Sequence, residues 1–266
     1  MPKTLVLTNE AQPPQCLMLT NQKTIVVKGN DVGHKWLGCI LSAGTNGKST
    51  LDITYHLQAA SRPLFANEQI LCDKKVRLAV RLRFFDRVIT PVALFASGDR
   101  TIRMRDLYKL DVVYRKMLRM TVGPPNFVEW NAPWHDILHH WNEKALALAQ
   151  QHGLHTWSEQ CRKHHWKFAM HVANLPSNRW VKRVLLWNPA GARTRGYPRH
   201  DWTSKLVAYT RFQQWGQWHY LAQDPALWMQ LSGDFVSFAP LADVLVSHCL
   251  QFFRGGPGKW GLGGCF

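Results

Sequence analysis

"DKKVRLAVRLRFFDRVITPVALFASG", Asp73 to Gly98, decides the fold class. Val76, Val80, Phe84 and Val88 recur every fourth residue, the spacing of one helix face, and Asp73 is a suitable N-cap. The spacing predicts a helix from Asp73 that Pro91 kinks or ends, because proline cannot donate to the Arg87 carbonyl. Cations share the helix. Lys74, Arg77 and Arg81 fall on one face, Arg83 and Arg87 make a second row, and the apolar residues lie between.

The next segment repeats the pattern. A helix is expected over Thr101 to Val122, with Leu107, Leu110, Tyr114, Met117 and Thr121 on one stripe. Gly123 and the Pro124-Pro125 pair stop it. It adds Arg105, Lys109, Arg115, Lys116 and Arg119 against Asp106 and Asp111 alone, and glutamate is absent from 69 to 128. An ordinary solvated helix interleaves Glu as a partner for its cations. Repulsion left unrelieved here points to a bound polyanion. The phosphate contacts expected are Lys74, Arg77, Arg81, Arg83, Arg87, Arg115 and Arg119.

Working outward, a helix is expected over Leu51 to Arg62, with Leu51, Thr54, Tyr55 and Gln58 on its stripe. Before it, "TLVLT", "CLMLT", "TIVV" and "HKWLGCIL" read as short strands parted by Pro, Asn and Gly. Downstream, Trp134 to Gln151 is helical and ends at Gly153. Thr156 and Glu159 form a capping box that opens Trp157 to Ala173. Asn178 caps a short helix, and Asp224-Pro225 starts a last one up to Gly233. A Gly/Pro loop, "GARTRGYPRHDW", presents Arg193, Arg195 and Arg199 to phosphate. The fold class expected is mainly α, a helical bundle with a small N-terminal β portion. It divides into a β-rich segment (1–41), two helical regions (42–125 and 126–238) and a poorly ordered Gly-rich tail (239–266).

Charge bounds the partners. Lys and Arg total 33 against 17 Asp and Glu, a net +16 that favours nucleic acid over neutral or basic ligands. Thirteen tryptophans, most after residue 130, serve either as core or as base-stacking platforms, and helical spacing favours core. Six scattered cysteines without a Cys-x-x-Cys pair suit a reducing compartment. The chain opens without an apolar signal region and holds no apolar stretch of spanning length. A nuclear or cytoplasmic protein, neither secreted nor in a membrane, is expected.

Three motifs imitate nucleotide-binding or metal chemistry. "GTNGKST", Gly44 to Thr50, follows an apolar run and precedes a helix, the arrangement in which backbone N–H groups and Lys48 hold phosphate in ATP-dependent ligases. His135-Asp136-Ile137-Leu138-His139 imitates a metalloprotease helix, but has Asp in place of the general base and no third ligand at the usual distance. Cys161-x-x-His164-His165 lacks a second half. There is no Gly-x-Ser-x-Gly elbow and no carboxylate pair for two-metal nucleotidyl transfer. No catalytic residue, cofactor or metal is expected.

Taken in order, several stretches resemble the C-terminal part of reverse transcriptases from non-LTR, LINE-type retrotransposons. "PKTLVL" is similar to the strand after the catalytic palm hairpin, and "HKWLGCIL" to the primer grip, with Trp36, Leu37 and Gly38 in its Tyr-Leu-Gly positions. "DITYHLQAASRPL", "KKVRLAVRLRFFDRVITPVALFASG" and "DLYKLDVVYRKMLRMTVGPP" resemble the thumb helices. "HHWKFAMHVANLPSNRWVKRVLLW", "ARTRGYPRHDW" and "LAQDPALW" resemble linker elements, though His171 is displaced and Pro225 stands where arginine is common. The resemblance runs through most of 3–238 and starts after the position of the palm aspartates. It implies a thumb and linker that grip RNA, DNA or a hybrid without polymerase chemistry, acting beside an intact element enzyme in trans. It also makes "GTNGKST" a variable connecting loop. The rival readings are an ATPase or ligase built on Lys48, and an inert remnant of such an element.

Overall fold

The computed structural model of the protein describes residues 6–7, 16–18, 24–28, 33–41, 48–124, 132–186, 202–213 and 217–238. The chain divides into two compact units, Met1–Cys161 and Arg162–Phe266. The protein is mainly helical, with a small β portion near its N-terminus. Among the described residues, no helix is long and apolar enough to cross a membrane.

In the first unit, β1 (Val6–Leu7), β2 (Cys16–Met18) and β3 (Thr24–Lys28) form a sheet in the order β1-β3-β2. Strand β1 runs parallel to β3, and β2 antiparallel. Strands β4 (His34–Trp36) and β5 (Cys39–Leu41) make a hairpin in which Trp36 pairs with Cys39. Its two-residue turn holds Leu37 at φ +46° and Gly38 at φ +92°. Positive φ at both positions matches the twist of the strands, and glycine adopts it without strain. A Cβ on Gly38 would also lie 2.9 Å from the Phe95 ring.

Helices α1 (Lys48–Ala66), α2 (Glu68–Leu71), α3 (Leu78–Phe84), α4 (Thr90–Ala93), α5 (Met104–Val122) and α6 (Trp134–Gln151) follow. Helix α7 (Trp157–Ala173) carries the division between the units, after Cys161. The first core joins Ile53, Leu57, Ala60 and Leu64 of α1 to Leu107, Leu110, Tyr114, Met117 and Leu118 of α5. Phe85, Ile89, Ala149, Trp157 and Cys161 are among its other members.

The α5 stripe falls where the sequence places it. The α1 stripe does not: Leu51, Thr54 and Gln58 are exposed, and the buried face runs through Ile53, Leu57, Ala60 and Leu64. Those two faces of one helix are both partly apolar, and packing against α4, α5 and the π turn selects between them.

The helix expected from Asp73 begins only at Leu78. Asp73 caps a tight turn by accepting from the Lys75 N–H at 2.8 Å, and Arg77 sits in extended backbone at φ −54°, ψ 134°. Pro91 neither ends nor breaks the run. Residues Phe85–Ile89 widen into a π turn in which the Thr90 N–H reaches the Phe85 carbonyl, and α4 continues through Pro91 to Ala93. An i→i+5 turn takes up the donor that proline lacks and the room its ring needs.

The capping box of α7 forms as expected. The Thr156 N–H donates to Glu159 Oε2 at 3.0 Å, and the Glu159 N–H to Thr156 Oγ1 at 3.3 Å.

The second unit holds the rest of α7, then α8 (Trp180–Leu186), α9 (Ser204–Phe212), α10 (Trp218–Leu221) and α11 (Pro225–Gln230). Asp224 caps α11 by accepting from the Ala226 and Leu227 N–H groups. Gly233 does not stop the chain, which turns at Leu231 and is helical again over 232–238. Trp166 and Trp228 stack with ring centroids 3.6 Å apart. Each indole N–H donates to the other residue's carbonyl, at 2.7 and 2.9 Å. Trp202, Trp218, Tyr209 and Phe235 pack around the pair. Most of the buried tryptophans are therefore core, their polar N–H satisfied inside it.

Candidate functional site

The basic segment separates into two kinds of cation. Arg81 is only 6% exposed. Its Nε donates to the Val76 carbonyl at 3.1 Å, and its Nη1 donates to the Thr121 carbonyl. Thr121 lies in the last turn of α5, whose final carbonyls have no intrahelical donor. Arg81 is thus a tie between α3 and α5. The three-residue face expected of Lys74, Arg77 and Arg81 does not exist, because the first two precede the helix and the third points inward.

Lys74, Arg77, Arg83 and Arg87 are exposed, and Arg115 and Arg119 are half-buried on α5. Arg119 lies over the Trp141 ring, 5.5 Å from its centroid, and donates to Asn142 Oδ1. Its pKa is lowered from the ordinary arginine value, first by burial and then by the charge of Arg115 one turn away. Among the described residues, none of these six cations has a carboxylate within 4.0 Å.

The acids of the same segment are occupied elsewhere. Asp73 caps its turn, Asp86 accepts from Gln160 Nε2, and Asp111 accepts from the Ser158 N–H. Asp106 is fully buried and accepts from Thr50 Oγ1 at 2.9 Å. Asp99 is exposed. Four of the five carboxylates between Glu68 and Glu129 are thus spent on capping or internal hydrogen bonds.

A second cluster went unseen in the sequence. Cys39 of β5 and Asp52 and His56 of α1 bring Sγ, a carboxylate oxygen and an imidazole nitrogen within 4.8 Å of one another. Asp52 Oδ1 accepts from the Ile40 N–H at 2.6 Å and lies 3.4 Å from His56 Nε2. Asp52 Oδ2 takes Arg100 Nε at 2.7 Å, and Arg100 Nη2 reaches Cys39 Sγ at 3.6 Å. His56 stacks on Phe95, centroids 5.3 Å apart, and its buried Nε2 has no hydrogen-bond partner. Only the one-turn spacing of Asp52 and His56 is visible in sequence, and that spacing alone is commonplace.

The remaining candidates are dispersed. Trp36 and Leu37 stand exposed at the tip of the β4–β5 hairpin, while Gly38 packs on Phe95. Arg193, Arg195 and Arg199, the loop residues Gly44 to Gly47 and the 239–266 tail lie outside the described residues. Helix α1 does start at Lys48, directly after that loop, yet β5 before it pairs antiparallel with β4. His135 and His139 are exposed on α6, and His135 Nδ1 lies 3.3 Å from Asp136. Cys161 belongs to the first core; His165 belongs to the second unit, stacked on Trp202 at 4.5 Å. Among the described residues, neither histidine pair gathers a third metal-ligating group. No protein-family model matches the chain, and no curated protein or solved structure matches it either.

Proposed function

We propose that the protein binds nucleic acid through its phosphates, without sequence preference, on the surface that carries Lys74, Arg77, Arg83 and Arg87 together with the Arg115–Arg119 pair. One observation carries this reading: among the described residues these six cations have no carboxylate within 4.0 Å, while four of the five neighbouring aspartates are turned to caps and core. Such a surface repels itself until a polyanion neutralises it. The likeness of successive sequence segments to a LINE-type thumb and linker agrees with this, and makes RNA, DNA or a hybrid the partner. On the same reading this surface acts beside an intact element enzyme.

The test is fluorescence anisotropy with labelled RNA, duplex DNA and hybrid over a range of salt. Each phosphate contact on duplex DNA adds about 0.9 to the log–log slope. The Arg77→Ala/Arg83→Ala/Arg87→Ala protein should bind every sequence more weakly, with a slope flatter by roughly 2 to 3. Equal slopes for native and variant proteins would remove the interface.

A further inference from the structure

We infer that Cys39, Asp52 and His56 form a zinc-binding site, with a water in the fourth position and Arg100 as the outer partner that orients two of the three ligands. The inference is independent of nucleic-acid binding. A thiolate, a carboxylate oxygen and an imidazole nitrogen are a donor set that zinc accepts, whereas the sulfur disfavours magnesium and calcium. With zinc–ligand bonds of about 2.0–2.3 Å, tetrahedral geometry sets ligand atoms roughly 3.3–3.8 Å apart. His56 Nε2 and Asp52 Oδ1 already stand 3.4 Å apart, and Cys39 Sγ lies within 4.8 Å of both. Closing the site therefore needs an adjustment of about an ångström.

Division of labour on Asp52 supports the assignment. Its Oδ1 accepts from the Ile40 N–H at 2.6 Å and keeps a second lone pair toward His56, while its Oδ2 is held by Arg100 Nε at 2.7 Å. Arg100 Nη2 also approaches Cys39 Sγ, so one guanidinium fixes the outer side of both anionic ligands. Outer hydrogen bonds of this kind orient metal ligands. The third ligand is oriented by packing, since the His56 ring stacks at a tilt of 29° on Phe95, which in turn rests against Gly38. His56 Nε2 is buried and makes no hydrogen bond, with Asp52 Oδ1 at 3.4 Å, and a metal ion held between the two would engage both atoms. The site sits where the hairpin, α1 and the segment after α4 converge.

The full-length protein, stripped with chelator, should take up one zinc per chain and keep it through dialysis. Cobalt in its place should give a thiolate-to-metal charge-transfer band. Cys39→Ser and His56→Gln should lose both signals, and His135→Ala should keep them. A measurement on the native chain guards against misfolded variants: zinc should slow alkylation of Cys39 at least tenfold, magnesium should not, and Cys72 provides an internal control. Absence of the cobalt band in the native protein, its persistence in Cys39→Ser, or an alkylation rate indifferent to zinc would each overturn the site.

Discussion

Arg81→Ala separates the two kinds of arginine most sharply. In a phosphate-contacting face, this change would weaken nucleic-acid binding and leave folding alone. In the structure it removes a buried guanidinium that donates to the Val76 and Thr121 carbonyls and joins the start of α3 to the end of α5. Hydrogen bonds from a charged donor contribute about 1.5–3 kcal/mol each, and the Thr121 carbonyl would be left without this donor. Removing a buried cation returns part of its desolvation cost, so the two bonds do not sum. A net loss of about 2 kcal/mol is expected. Urea denaturation should show it as a lower midpoint with an unchanged slope. Arg81→Lys should recover little, because one ammonium cannot reproduce the fork that spans two carbonyls. The salt slope of nucleic-acid binding should match that of the native protein wherever the variant is folded. A variant of native stability, within about 0.5 kcal/mol, whose salt slope is flatter by about 1 would refute the reasoning and return Arg81 to the surface.

Two further outcomes are expected. Burial pushes the His165 pKa down to about 3, with Lys205 adding to the effect, and its Nε2 is enclosed without a hydrogen-bond partner. A histidine held neutral in the fold and titrating near 6.5 when unfolded leaves stability intact above that pH and erodes it as pH falls. The second unit should lose about 2 kcal/mol between pH 7 and pH 5 from this group, and thermal melts of His165→Phe should show a flatter profile over that range. ATP should bind Lys48→Ala as weakly as the native chain in equilibrium dialysis, since β5, the strand before the Lys48 helix, pairs antiparallel with β4; tight lysine-dependent binding would restore the ligase reading.

Several features of this protein are local, and the sequence determines them. The Thr156–Glu159 box, the Asp224-Pro225 start, the Gly123 stop and the α5 stripe need only residues within a turn of one another, so spacing and side-chain chemistry suffice. The excess of cations over carboxylates around α3 and α5 is equally plain in the sequence.

Which of those cations faces outward was decided by packing. At α3, the Thr121 carbonyl at the end of α5 takes Arg81, while Arg77, one turn earlier, is the N-cap in extended backbone. The buried face of α1 is chosen in the same way, by what α4, α5 and the π turn offer it, and the π turn before Pro91 keeps its own first and last residues, Phe85 and Ile89, in the core. Cys39, Asp52, His56 and Arg100 come from a hairpin, a helix and a later loop, so no window of sequence contains them. A helix face repeats within a few residues and can be read from them. A side chain's partner across the core is fixed only when separate elements dock, and docking is a property of the whole chain.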